Sequence, residues 1–121
     1  MAASVYAQTT QTLRVSAMEK YVLVTTTFPD RKTARRICGV LLDRRLAACV
    51  QYVENIESSY WWKGKITDGK EFVLIVKTIS KNFEKVKIEV EKIHPYEIPC
   101  IVKIPVSSNK KYFEWLVNST K

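Results

Sequence analysis

The feature that most constrains the fold is a β-prone stretch of 20 positions, residues 47–66. As a straight strand it would run on the order of 65 Å, at about 3.3 Å per residue. A compact domain of about 100 residues has a radius of gyration of only about 13 Å. The stretch must therefore bend or protrude, and Asn55 and Ser58-Ser59 suit a β-bulge. Asp68-Gly69, between two β-prone runs, predicts a tight hairpin turn because both residues tolerate positive φ.

Two other stretches have the spacing of apolar side chains that indicates a helix with one face on a core. The first can be capped by Asp30, and its stripe is Ala34, Ile37, Cys38, Leu41 and Leu42. The second can be capped by Ser80 and ends at His94-Pro95, because the residue before proline avoids helical dihedrals. Its stripe is Phe83, Val86, Val90 and Ile93. Ser108 can cap a short last helix.

β-branched and apolar runs predict the remaining strands at residues 21–27, 71–78 and 100–106. Pro99 and Pro105 indicate an edge position for the last of them. The order βαββαβ with a terminal helix predicts an α+β, ferredoxin-like sandwich that carries an extended β-hairpin. We place this domain at residues 19–121. Residues 1–18, in which Ala, Ser, Thr and Gln dominate, are interpreted as a flexible N-terminal extension.

Composition limits the class of protein. A formal charge of +8 attracts nucleic acid or small anions, but its densest part, at residues 30–45, is explained by a solvated helix face. Three cysteines among apolar neighbours indicate buried, reduced thiols and a cytoplasmic protein; the weaker alternative makes residues 1–18 an organelle-targeting segment. No apolar run approaches the roughly 20 residues that cross a bilayer, so we expect no membrane partner.

Tyr60-Trp61-Trp62 put three large rings at the far end of the long stretch. Neighbours in a strand point to opposite faces, so at least one ring should lie outside the core of its own subunit. An exposed ring of this size needs a cover. A second copy of the chain is the simplest one, and a stacked ligand is the alternative. We therefore expect an oligomer interface at these three residues.

Neither an enzyme nor an RNA-binding domain fits the sequence. With one histidine, no GxSxG motif and no glycine-rich phosphate loop, a nucleophile, a base and an orienting group cannot be assembled. A Cys100–His94 pair would contain a thiol that an apolar strand keeps inert. An RNA-recognition motif shares the strand order, but over residues 68–75 only Gly69, Phe72 and Val73 match its third-strand signature.

Four segments resemble the CutA family of divalent-cation tolerance proteins, in the same order and with matching spacing between about residues 21 and 116. They are Leu46-Ala47-Ala48-Cys49-Val50, Ser59-Tyr60-Trp61-Trp62-Lys63-Gly64-Lys65-Ile66, Val76-Lys77-Thr78 and His94-Pro95-Tyr96-Glu97-Ile98-Pro99. The resemblance implies a ferredoxin-like subunit in a tight homotrimer, similar in architecture to PII signalling proteins, with clefts between subunits. It also implies tolerance of copper and other divalent ions, through binding or signalling and without an established reaction.

The resemblance implies a ligand cleft around Tyr60, Trp62, Lys65, Glu71, Lys77, His94, Tyr96 and Glu97. A lysine that closes the apolar run 72–76 needs a carboxylate or an anionic ligand, and we expect Lys77 to form a salt bridge with Glu71 or Glu97. The alternative function is a scaffold trimer that binds a small anion in its clefts without metal.

The resemblance also implies a metal site, of which only part is present. Thr26 and Ile93 replace a cysteine and a histidine of the copper site attributed to bacterial members, so that only His94 survives. Glu97 and Cys100 are the further predicted ligands, and the thiol favours a soft ion such as Cu(I). In the alternative interpretation, His94 is a structural residue near the C-terminal dipole of its helix.

Overall fold

A four-stranded antiparallel sheet, with strand order β2-β3-β1-β4, organises residues 20–121, the part of the chain that the computed structural model describes. The strands are β1 (Tyr21–Phe28), β2 (Cys49–Trp62), β3 (Lys65–Ile79) and β4 (Ile101–Pro105). The helices are α1 (Arg31–Asp43), α2 (Phe83–Ile93) after a 3-10 turn at Ser80–Asn82, and α3 (Lys110–Ser119). The predicted α+β ferredoxin-like order is confirmed, as is the edge position of β4. The predicted N-terminal extension lies outside the described residues.

The main hydrophobic core lies between one face of the sheet and helices α1 and α2. Each helix buries the middle of its predicted stripe: Ala34, Ile37 and Leu41 from α1 and Val86 and Val90 from α2 are fully buried. Leu42, predicted for the α1 stripe, is 40% exposed, so the buried stripe is narrower than its spacing indicated. The strands contribute alternate residues, namely Val22, Val24 and Phe28 from β1 and Leu74 and Val76 from β3. A second cluster, centred on Tyr21, Ile79 and Leu116, attaches α3 to the sheet. In residues 20–121, no helix has both the length and the apolar character to cross a bilayer.

The predicted helix caps hold in one case of three. Asp30 Oδ1 accepts a hydrogen bond from the Thr33 N–H at 2.7 Å, so this N-cap is confirmed. Ser80 is not a cap: it is the first residue of the 3-10 turn, its N–H donates to the Lys20 carbonyl at 2.8 Å, and Asn82 holds the N-cap position of α2. Ser108 is not a cap either, because α3 begins one residue later and the Ser108 hydroxyl donates to the Asn109 carbonyl.

The long hairpin bends where one of the two predicted bulges lies. The register of β2 against β3 shifts between Val53 and Ile56, and Asn55 has a φ of 56°. Asparagine tolerates this left-handed conformation better than most residues. Ser58-Ser59, the other predicted bulge, pairs regularly with β3.

The predicted turn at Asp68-Gly69 is wrong. Both residues lie inside β3, and the chain reverses at Lys63 and Gly64, whose φ values of 49° and 77° suit a two-residue turn. Asp68-Gly69 and Lys63-Gly64 can both adopt the positive φ angles of a tight turn. Cross-strand contacts favour the turn at Lys63-Gly64, because Trp61 pairs with Ile66 and the Ser59 hydroxyl donates to Asp68 at 2.6 Å. The hairpin is thus built from strands of 14 and 15 residues.

The bulge changes which side chains of β2 share a face. Before it, Val53 pairs with Val73; after it, Ile56 pairs with Glu71. One extra residue in β2 therefore moves the even-numbered side chains, Tyr60 and Trp62 among them, to the face that carries Glu71. Trp61 and its partner Ile66 take the opposite face, where they are 72% and 66% exposed.

The sheet face away from α1 and α2, called here the open face, is largely apolar and only partly covered. Val53, Val102 and Ile104 are 39%, 43% and 40% exposed. They share this face because their pairing places them in register with the β1 residues that alternate with the buried Val22 and Val24. The α3 cluster covers only the end of the face that includes Leu23.

Candidate ligand cleft

A cleft of about 710 Å³ lies between the outer half of the hairpin and the loop that follows α2. The sheet contributes Thr27, Ser58, Tyr60, Trp61, Trp62 and Glu71, and the loop contributes Pro95, Tyr96, Glu97, Ile98 and Cys100. This volume lies within the range of small-molecule sites. Of the eight residues that the resemblance places around a ligand cleft, five line this one: Tyr60, Trp62, Glu71, Tyr96 and Glu97.

Glu71 is held in place by neutral hydroxyl groups. Tyr96 Oη donates to Glu71 Oε2 at 2.8 Å, and Ser58 and Thr27 also hydrogen-bond to the carboxylate. Burial raises the pKa of Glu71. The hydrogen bonds and the nearby His94 lower the pKa by more than burial raises it, so the net pKa lies below the ordinary value. The same contact acts on Tyr96, whose pKa is raised by burial and by its bond to Glu71. At neutral pH Glu71 is therefore an anchored carboxylate.

His94 is tied into the fold through both ring nitrogens. Nε2 lies 2.6 Å from the Thr27 carbonyl, which can only accept, so Nε2 carries the proton. Nδ1 then accepts from the Tyr96 N–H at 3.1 Å. The ring stacks on Phe28 at 4.3 Å between centroids. Burial lowers the pKa of His94, and the Thr27 bond and Glu71 only partly oppose this, so the neutral imidazole is favoured.

The predicted metal ligands are placed differently from one another. Glu97 and Cys100 line the cleft. His94 is instead the C-cap of α2, and both of its ring nitrogens form hydrogen bonds with backbone groups. Within residues 20–121, no three histidine, cysteine, aspartate or glutamate side chains are grouped so that they could hold a metal ion. A metal at His94 would first have to displace one of its two hydrogen bonds. The metal site remains a prediction.

The two predicted lysines lie outside the cleft. Lys65 is exposed beside the hairpin turn, in register with Trp62. Lys77 lies six residues along β3 from Glu71, roughly 20 Å of extended chain. Its Nζ lies over the Tyr112 ring, 5.4 Å from the centroid. The salt bridge predicted with Glu71 or Glu97 is therefore wrong. Burial lowers the pKa of Lys77, but its contact with Tyr112 raises it above the ordinary value.

The prediction of three buried thiols is also wrong. Cys38 and Cys49 are partly exposed and Cys100 is exposed, and all three are free thiols. Cys38 lies at the margin of the α1 stripe rather than at its centre. Cys100 precedes β4, so its side chain belongs to the loop and faces the cleft.

Thr27, Ser58 and Ile98 are cleft residues that the sequence did not indicate. Thr27 and Ser58 reach Glu71 only because β1 and the bulged β2 flank the same part of β3. The bulge at Asn55 was the available signal, since it decides which residues of the hairpin share a face with Glu71.

The sequence profile described as CutA1 divalent ion tolerance protein matches residues 22–119. The chain belongs to the CutA1 family. It is 40% identical over 104 residues to the divalent-cation tolerance protein CutA of Thermus thermophilus, covering 85% of this chain and 99% of that one. It is 38% identical over 101 residues to the chloroplastic protein CutA 1 of rice, covering 83% of this chain and 57% of that one.

Solved structures of CutA1 proteins have the same fold as this CutA1 chain. The crystal structure of rice CutA1 superposes with a TM-score of 0.81 at 37% identity, over 84% of this chain and 94% of that one. A structure from Archaeoglobus fulgidus gives the same TM-score at 38% identity, over 84% of this chain and 99% of that one; it is described as a periplasmic divalent cation tolerance protein. Named locations within the family therefore differ between relatives.

Proposed function

We propose that this CutA1 chain acts in the cellular response to divalent metal ions, copper among them, as a homotrimeric binding or signalling module in the cytoplasm. The metal role is supported by relatives named for divalent-cation tolerance. A reducing compartment suits three free thiols. The observation that carries the proposal of assembly is the open face: a sheet surface of apolar side chains that its own chain leaves partly bare.

The open face and the hairpin together have the character of an interface between copies. Val53, Val102 and Ile104 lie on the open face, and the hairpin exposes Trp61 and Ile66 on its opposite face. Monomeric soluble proteins rarely expose contiguous apolar patches of this kind. A closed ring of copies covers such surfaces on every subunit at once, since each copy both gives and receives the contact.

A binding role suits the cleft better than catalysis does. The chain has one histidine, and its Nδ1 lone pair accepts the Tyr96 N–H while its Nε2–H donates to the Thr27 carbonyl, so neither ring nitrogen is free to act as a general base. The anionic ligand of the alternative proposal is not favoured, because Glu71 and Glu97 are the charged residues that line the cleft.

Copper stress tests the cellular role. We expect cells without this protein to lose viability at copper concentrations that the parent tolerates, and expression of the full chain to restore growth. Equal growth of both strains over the whole copper range would overturn the metal role.

Titration with Cu(I), Cu(II) and Zn(II) tests the predicted ligands directly. If Glu97 and Cys100 contribute to a soft-metal site, Cys100→Ser should weaken Cu(I) binding by about ten-fold or more, since the thiolate is the preferred ligand. Cys38→Ser, which alters a thiol outside the cleft, is the matched control. Identical Cu(I) isotherms for wild type and Cys100→Ser would show that Cys100 is not a Cu(I) ligand.

A further inference from the structure

The sign of charge in the cleft is opposite to that of the protein. The chain has a formal charge of +8, with 20 lysines and arginines. Among residues 20–121, the cleft is lined by two glutamates, Glu71 and Glu97, and by no lysine, arginine or histidine. A concave site with low-dielectric walls focuses the field of its own charges. The cleft therefore attracts cations, even though the molecule as a whole attracts anions.

Glu71 is anchored without being neutralised. Its hydrogen-bond donors are the hydroxyls of Tyr96, Ser58 and Thr27, none of which carries a positive charge. Three neutral donors fix the position of the carboxylate and leave its full charge to a ligand. A half-buried carboxylate of this kind pairs more strongly with a cation than an exposed one does.

The remaining walls suit a cation that has an organic part. Tyr60, Trp62 and Tyr96 line the cleft, and the face of an aromatic ring attracts an ammonium or guanidinium group. Ile98 and Pro95 add apolar surface for an alkyl chain. A bare divalent ion would use none of these surfaces and needs several oxygen, nitrogen or sulfur ligands at once, whereas the described residues offer no such group.

We propose that the cleft binds a small organic cation, an alkylammonium, quaternary ammonium or guanidinium compound, with its charge against Glu71 and its organic part against the rings of Tyr60 and Trp62. The proposal names the ligand class of the module described above and rests on its binding role. It does not depend on the metal response, which copper stress tests separately.

Tryptophan fluorescence tests the proposal on the full chain. Trp115→Phe removes the tryptophan of α3 and leaves the two hairpin tryptophans as reporters. We expect saturable changes on titration with butylammonium and with tetramethylammonium, and no saturable change with n-butanol, the neutral analogue of butylammonium, or with acetate. A response to n-butanol as strong as that to butylammonium, or saturation by acetate alone, would overturn the proposal.

Substitution locates the charge that binds. Glu71→Gln keeps the size of the side chain and its bond to Tyr96 but removes the charge, so the apparent Kd for butylammonium should rise at least about ten-fold, equivalent to about 1.4 kcal/mol. Glu57→Gln is the matched control, because Glu57 is an exposed glutamate of the hairpin that does not line the cleft. Equal affinity for wild type and Glu71→Gln would contradict the proposal.

A second variant covers the case in which Glu71→Gln does not fold. Trp62→Leu retains apolar surface but loses the aromatic face, so it should weaken the binding of tetramethylammonium several-fold. Unchanged tetramethylammonium binding, measured by calorimetry, would overturn the proposal. If ammonium binding fails while copper tolerance persists, only this inference falls; if copper tolerance fails while binding depends on Glu71, the inference stands.

Discussion

His94 shows how one residue can look like a ligand in the sequence and serve the fold in the structure. It closes α2, stacks on Phe28 and connects the α2 loop to β1 through Thr27. The sequence correctly placed it at the end of the helix, since proline follows it. Its partners could not be read from the chain, because Thr27 lies 67 residues away and meets it only in the folded sheet.

The lowered pKa of His94 predicts acid sensitivity. The unfolded residue takes up a proton near pH 6.5, whereas the folded residue resists protonation to a lower pH. Between these two pKa values the unfolded chain binds more protons, so the free energy of unfolding should be greatest above about pH 6.5 and fall as the pH drops through this window. Denaturant unfolding at pH 7.5, 6.5 and 5.5 measures the slope.

The control for the pH prediction is His94→Gln, whose amide can still donate to the Thr27 carbonyl. Because the chain has a single histidine, this variant should lose most of the slope between pH 7 and 5.5. A variant with the wild-type slope, or a wild type that gains stability in acid, would contradict the assignment.

At the scale of elements, the hairpin determines the site. Its turn at Lys63-Gly64 fixes the register, and its bulge at Asn55 sends Tyr60 and Trp62 to the side of Glu71. Both features follow from positive φ angles. Of the two glycines in the hairpin, Gly64 has a φ of 77°, and Gly69 has space for a Cβ, with Tyr60 Oη as its nearest contact at 3.8 Å.

A matched pair of substitutions tests the position of the turn. Gly64→Ala should destabilise the hairpin by about 1 kcal/mol, because a Cβ is strained in the left-handed region, and should accelerate amide exchange at the hairpin end about five-fold. Gly69→Ala should leave exchange near the wild-type rate. The reverse ranking would place the turn at Asp68-Gly69.

Elements that depend on local interactions could be predicted from the sequence, whereas features that depend on contacts between distant residues could not. The helices α1 and α2 and the strand runs depend on local periodicity, and they were predicted correctly, apart from the exposed Leu42 at the end of the α1 stripe. The turn was not, because Asp68-Gly69 and Lys63-Gly64 both permit positive φ, and cross-strand contacts decide between them. The contacts of Glu71 and Lys77 depend on register across three strands and on the position of α3, which no local pattern encodes.

At the scale of the whole molecule, one sheet carries a covered face and a partly bare one. Burial of the covered face stabilises the folded chain. Burial of the open face would stabilise the assembly of several copies of the chain. The hairpin exposes a second apolar surface, Trp61 and Ile66, on the opposite face of the sheet. Assembly would therefore bury surface on both the body and the hairpin of each subunit.

A charged substitution on the open face should separate assembly from folding. Val102→Lys places an ammonium on β4 at the centre of the proposed interface, where burying an unpaired charge costs several kcal/mol. We expect monomers with a wild-type circular dichroism spectrum. Ile88→Lys is the control, since Ile88 is an exposed residue of α2, on the other side of the sheet, and should not affect assembly. If Val102→Lys assembles as completely as wild type does, the open face is not the interface between copies.

The mass of the full chain in solution tests the central claim most directly. Multi-angle light scattering at micromolar concentration should give three times the 14.0 kDa of the chain, about 42 kDa, with no loss on dilution. A stable species of 14.0 kDa over the same range would show that the open face and the exposed rings of the hairpin need no second copy, and would contradict the account.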